Sequence, residues 1–434
     1  MSNRWAIKAD WALLESGSPE ERAGFAAVKI TAYGSCLTAG HDRLLQSVRE
    51  APFLSAYHLA EWLAWNWWRL RWEPRKSAAE WEMSHSMASI GNGYIWPAIH
   101  ILSDGQNVTL VSKPTPERER TPYRYISDAV SFIPASDFES EIDIFIETVL
   151  RRLEDCQVSK SNLADIWRAV LEERQDISLA QQRKLEALLG EDPGEVDEKA
   201  LRHLLNEAAL TGQAALEEIA ANRASGQGVP NIATLIELAR SEGVRTQPRD
   251  RIQLHSVATV NPQETPAWKV GAQAAQSLRK QIKLNPDDAI SNRTLSEFYG
   301  APVSLLSAPQ AVSKIDLSLS LTESNEQSRV LLRSKRETGR RFELARLLGD
   351  HVAYATSDPM IPVTSSSTYR QKVQRAFAAE FLSPFNAVDK MLGGDYSMES
   401  QQDVAHHFNV SELTVRTLLA NHDRISRSEL EEGY

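Results

Sequence analysis

Apolar and polar positions alternate in two stretches of the first 115 residues, AAVKITAY and HILSDGQNVTLVSK, which predicts strands. The second stretch reads as a hairpin turning at Asp104–Gly105. Between them, SAYHLAEWLAWNWWRLRW repeats large apolar residues at helical spacing and predicts one buried helix. DFESEIDIFIETVLRRLED predicts an amphipathic helix, with Ile142, Ile144, Phe145, Val149 and Leu153 on or near one face. From about 160 to 225 the pattern is almost wholly helical. ISLAQQRKLEALLG stops at Gly190 before Asp192–Pro193, and DEKALRHLLNEAAL and TGQAALEEIAANRA follow. SGQGVPN, with two glycines and a proline, is the best linker candidate.

In the last third, WKVGAQAAQSLRKQIKL and NRTLSEFYG read as helices, and SKIDLSLSLTES and QSRVLLRS as strands. Two helices follow, GRRFELARLLGDHVAYAT and TYRQKVQRAFAAEFLSP. The chain then ends in a helix-turn-helix pattern, with a turn at Asn409–Val410 and Ser411 capping the second helix. The fold class expected is α+β and predominantly helical. Its parts are a tryptophan-rich α+β domain over 1–155, a helical connector over 156–230, a linker region over 231–264 and a domain over 265–434, with the helix-turn-helix-like tail at 399–425.

Composition narrows the class of protein. At 434 residues, 42% hydrophobic and 24% charged, the chain has the length and balance of a globular protein of two or three domains. No apolar run approaches the ~20 residues needed to span a bilayer, and MSNRWAIKADW lacks a signal-peptide core. Cys36 and Cys156 are the only cysteines, too few for a disulfide framework. A cytoplasmic protein with no membrane partner is therefore expected. The net charge of −10 does not make nucleic acid the first partner to consider.

Three motifs in the last third carry a family resemblance. SRVLLRSKRETGRRFELARLLGDHV resembles the strand and active-site helix of the ImmA/IrrE zinc metallopeptidases. In that family an Arg-Phe-x-Leu-Ala stretch leads into His-Glu-x-x-His. Phe377 to Pro384 is similar to the family's next helix, and VAHHFNVSELTVRTLL to its helical tail. The resemblance covers roughly residues 265–425 and implies a zincin-like fold. It also implies a bacterial or phage protein acting on, or beside, a repressor or antitoxin in stress or phage-defence responses.

His-Glu-x-x-His works because residues i and i+4 share a helix face and can hold one zinc ion, while the glutamate polarises the bound water. The corresponding residues here are Arg346, Leu347, Leu348, Gly349 and Asp350, and the family's third ligand corresponds to Gln371. Every ligand position and the general base are altered, so the domain reads as a pseudo-metallopeptidase with no metal, no cofactor and no catalytic residues. Arg346 is placed to pair with Asp350 one turn later, or both lie solvated in an exposed cleft. That cleft, around Arg346, Leu347, Asp350 and Gln371, is the candidate site for a protein or peptide partner of repressor or antitoxin type. A rebuilt metal site would draw on Asp350, His351 and the His406–His407 pair.

Two other functions stay open. The tail would read DNA through the outward residues Thr414, Arg416, Asn421 and His422, although its flanks are acidic. An N-terminal enzyme would use Cys36, His41 and Asp42, since a Cys/His pair can make a thiolate nucleophile, but such partners meet in space rather than in sequence and the alternative is a small buried cysteine in a strand-to-helix turn. SIGNGYIWP offers a glycine loop without dinucleotide spacing. Trp62, Trp65 and Trp68 (or Trp72) share a helix face suited to core packing, with base stacking as the alternative.

Overall fold

The structure is a computed structural model. It describes residues 4–158, 160–223, 230–247, 265–285, 287–308, 315–324, 327–354 and 358–426. It is a mixed α+β protein that divides into two compact units. The first comprises residues 1–201 and 223–228, the second 202–222 and 229–434. The division falls inside the helix Glu198–Thr211, so the segment read as a separate helical connector is shared between the units. No helix among the described residues is long and apolar enough to cross a membrane.

In the first unit, Trp5–Trp11 pairs antiparallel with Phe25–Ala32, whose other edge carries Ser35–Cys36 and Phe53–Ser55. Ala26, Val28, Ile30 and Ala32 alternate into the core, as a half-buried strand requires. Ala98–Ser103 and Asn107–Lys113 form the expected hairpin, extended by Ala129–Pro134. Its turn is held by Asp104 Oδ1, which accepts from the amides of Gln106 and Asn107. A third small sheet joins Ser47–Arg49, Gly40–Asp42 and Tyr123–Tyr125.

Two helical expectations change here. The tryptophan-rich segment is two helices, Ala56–Trp65 and Trp67–Trp72, parted at Asn66 with φ −93° and ψ 10°. Trp62 O accepts both the Asn66 backbone amide at 3.0 Å and the Asn66 side-chain amide at 2.9 Å. Trp67 and Trp68 are buried edge to face, while Trp65 is 58% exposed. On the helix Ala135–Asp155, Phe138, Ile142, Phe145, Val149 and Leu153 face the core, whereas Ile144 falls between the three- and four-residue steps and is exposed.

The second unit is built around an antiparallel sheet in the order Val244–Thr246, Gln327–Leu331, Ser318–Ser324, Met360–Val363. The segment read as linker over 231–264 therefore contains a helix, Ile232–Glu242, and an edge strand paired through Val244 and Val330. Residues 248–264 lie outside the described residues, as do 224–229, which hold most of the SGQGVPN linker candidate. The helix Glu337–Ala353, here called the Arg346 helix, packs against the sheet, and Tyr369–Leu382, here called the Gln371 helix, packs on it. Ala267–Gln281 crosses the Gln371 helix at Gly271, where an added Cβ would stand 2.4 Å from Val373 O and 2.7 Å from Phe377 N. These are backbone atoms and cannot swing aside.

Gly271→Ala should therefore lower stability by more than about 2 kcal/mol, even though alanine favours a helix interior by ~1 kcal/mol. Urea unfolding of the two proteins decides the sign.

Candidate functional site

The residues singled out on the Arg346 and Gln371 helices do converge, but inside the domain. Arg346, Leu347, Asp350 and Gln371 are all buried, so the exposed cleft expected at these positions is corrected to a closed polar network. Two close approaches exclude a cleft here. Gly349 lies against the Phe377 ring with no room for a Cβ, and Gly271 lies as close to the Gln371 helix backbone at Val373 and Phe377.

Arg346 Nη2 donates to Thr364 O at 2.8 Å and to Gln371 Oε1 at 2.5 Å, with Gln374 Oε1 at 3.4 Å. The Gln371 oxygen also accepts from the Thr364 amide at 2.8 Å, and its nitrogen donates to Pro362 O at 3.1 Å. Asp350 does not pair with Arg346. It meets Arg370 in a two-pronged contact, Nε to Oδ1 and Nη2 to Oδ2, both at 2.7 Å. Gln374 Nε2 adds a third donor to Oδ1 at 2.8 Å. An i,i+4 spacing permits contact along a helix, but the planar guanidinium of Arg370 on the neighbouring helix matches both carboxylate oxygens at once.

Sequence reasoning missed four members of this network. Arg370 and Gln374 sit four residues apart on the Gln371 helix. Arg375 reaches Ser366 O at 2.8 Å. Glu218, from the helix Gln213–Ala221, accepts from Thr368 Oγ1 at 2.6 Å. Thr368 also caps the Gln371 helix by accepting from the Gln371 amide. The polar positions 370, 371, 374 and 375 on one helix were the available signal for the first three. Glu218 lay on a helix assigned to the connector.

Electrostatics follow from burial. Burial drives the Arg346 guanidinium well below its ordinary value, and the nearby Arg375 adds to the effect. Burial pulls Arg375 down to about 10. It raises Glu218 from 4.5 to about 7, against the opposing influence of Thr368 and Arg370. Arg370, despite its own burial, is raised by its bond to Asp350.

These residues do not fit a zinc ion. Arginine offers no lone pair, Gln371 is already bonded to Arg346, and all of the Asp350 lone pairs that face donors are in use. The alternative ligands do not assemble either. His351, His406 and His407 are exposed, and no group of three or more His, Cys, Asp or Glu suited to a metal occurs among the described residues.

The helix-turn-helix tail is formed by Met398–Phe408 and Glu412–Asn421. Asn409 is left-handed at the turn, and Ser411 accepts from the Thr414 amide. Thr414, expected to face outward, is buried beside Val415, Leu418 and Leu419, because this face packs on the domain core. Arg416 and Asn421 are half-buried. His422 stacks on Phe385 with ring centroids 3.6 Å apart. In the first unit, Cys36 Sγ donates to Glu50 O at 3.3 Å and lies 3.6 Å from Thr38 Oγ1. Asp42 serves the Leu44 and Leu45 amides, and neither side chain is bonded to His41.

Comparison with protein-family models, curated proteins and solved structures gave no match to this chain.

Removing one partner of a buried ion pair strands the other, a cost of ~3–5 kcal/mol. Arg370→Met should lose that much in urea unfolding, and adding Asp350→Leu to it should recover at least half. The pH dependence of stability tests Glu218. A carboxyl with a folded value near 7 contributes stability that is fully present below its unfolded value of 4.5 and is lost as pH rises through about 7. The thermal midpoint should therefore fall more steeply between about pH 5 and about pH 8 in the native protein than in Glu218→Gln, which keeps an acceptor for Thr368.

Proposed function

We infer that this is a non-catalytic regulatory or defence-associated protein of bacterial or phage type. In this reading its second unit is a zincin-like, ImmA/IrrE-type pseudo-metallopeptidase domain that acts by binding a protein or peptide partner of repressor or antitoxin kind. The observation that carries the reading is the hydrogen bond between Arg346 and Gln371, residues that stand where the resemblance puts two zinc ligands. Each uses the other as its partner, and a metal ion would have to displace a cation fixed by two further acceptors. The position of the general base is held by the fully buried, apolar Leu347. A zinc hydrolase of that kind needs a metal-activated water and a base beside it, and the motif positions that would supply them hold Arg346, Leu347, Asp350 and Gln371 instead.

Because the network is closed, partner recognition falls to the outer surface of the domain, with the Arg346–Asp350 region as its rigid interior. The reading is tested on the full chain expressed with zinc and used as bait in affinity capture. Elemental mass spectrometry should find less than about a tenth of an equivalent of zinc, since intact structural or catalytic sites purify filled. Capture should recover a helix-turn-helix repressor or antitoxin-like protein. A full equivalent of zinc, or peptidase activity lost on chelation, would overturn it.

A further inference from the structure

The first unit contains a cavity of about 260 Å³ between the small sheet and the glycine loop, lined by Asp42, Arg49, Phe53, Leu54, Tyr94 and Tyr123 among others. Its volume lies just below the usual range for ligand pockets, roughly 300–1,000 Å³, which suits one ring with a short polar chain.

The walls are aromatic and their rings are held from outside the cavity. Phe53, 44% exposed, stacks on Phe25 at 5.5 Å, and Phe25 in turn contacts Tyr94. The Tyr94 hydroxyl donates to Glu21 at 2.8 Å and the Tyr123 hydroxyl to Arg49 O at 2.9 Å. Gly93, at φ +81°, brings the loop to the cavity with open space where a Cβ would stand.

The charged groups are pre-set in the same way. Asp42 Oδ1 is fixed by the amides of Leu44 and Leu45, each at 3.0 Å. Its Oδ2 forms an ion pair with Arg49 Nη1 at 3.8 Å, a distance too long for a direct hydrogen bond, so both groups keep hydrogen-bonding capacity. The Arg49 guanidinium is steadied 5.0 Å over the Phe53 ring.

A fixed cation beside a fixed anion, within an aromatic wall, is complementary to a molecule carrying the opposite pair of charges next to a ring. We propose that this pocket binds a free aromatic α-amino acid, with its carboxylate on Arg49, its ammonium on Asp42 and its ring among Phe53, Tyr94 and Tyr123. An anion without an amine would face Asp42 unpaired, and an amine without an acid would face Arg49.

Calorimetric titration of the full chain with L-phenylalanine, L-tyrosine and L-tryptophan tests this, with 3-phenylpropionate and phenethylamine as single-charge controls. At least one amino acid should bind at least tenfold more tightly than both controls. Arg49→Gln and Asp42→Asn should each weaken it tenfold or more, while the thermal midpoint without ligand stays unchanged. Asp42→Asn keeps a side-chain oxygen to accept from the turn amides, so this substitution separates loss of charge from loss of structure. The proposal is overturned by silence to about 10 mM with all three amino acids. Equal affinity for a single-charge control, or binding indifferent to Arg49→Gln, overturns it as well.

Discussion

Asp350 has no exposed surface, and a carboxyl group so buried is costly unless donors of matching geometry replace its hydration. Arg370 supplies two of them and Gln374 a third. Much of the second unit is tied to that requirement. Gln374 and Gln371 both also donate to Pro362 O, so the strand Met360–Val363 is bound to the Gln371 helix by the residues that organise the charged centre. Gly349, next to Asp350, lets the Phe377 ring pack where any side chain would intrude. Two helices and a strand are thereby registered by polar contacts as well as by apolar area.

Once Asp350 is committed to Arg370, Arg346 must find other acceptors, and it takes neutral ones, Thr364 O and the Gln371 carboxamide. Neutral acceptors orient a guanidinium without balancing its charge, which is why burial weighs so heavily on it. Through-space attraction from Glu343 and Glu218 opposes that burden, and Glu218, near 7, is the member whose charge changes within the neutral range. The network is thus firm at Asp350 and compliant at Glu218.

The parts of this arrangement that could be read from sequence were the local ones. The Ser411 cap and the Gly190 stop each depend on a few neighbouring residues, and the structure places both as the pattern suggests. The short strands Val244–Thr246 and Met360–Val363 escaped because three or four residues carry no periodicity, and their pairing partners are remote. The break at Asn66 escaped because apolar spacing runs unbroken across it. At the candidate site, sequence could place Arg346 and Asp350 on one helix. It could not show that Arg370 would compete for the carboxylate or that Glu218, 150 residues before Thr368, would enter the network. Thr414 was misjudged in the same way, since which face of a terminal helix is outward depends on what covers it.

The cavity of the first unit and the polar network of the second deploy charge in opposite ways. In the network of the second unit, Arg346, Asp350 and Arg370 are buried and partnered internally, so a ligand entering there would have to break bonds between Arg346, Gln371, Asp350 and Arg370 before making its own. In the first, Asp42 and Arg49 are only partly buried, are oriented by backbone and ring contacts, and form an ion pair too long for a direct hydrogen bond. Desolvation there is partial, and an incoming polar group meets donors and acceptors that are already aimed. Small-molecule chemistry is therefore open to the first unit on terms the second does not offer. What the second unit has at this place is two helices and a strand tied together from within by Asp350, Gln371 and Gln374.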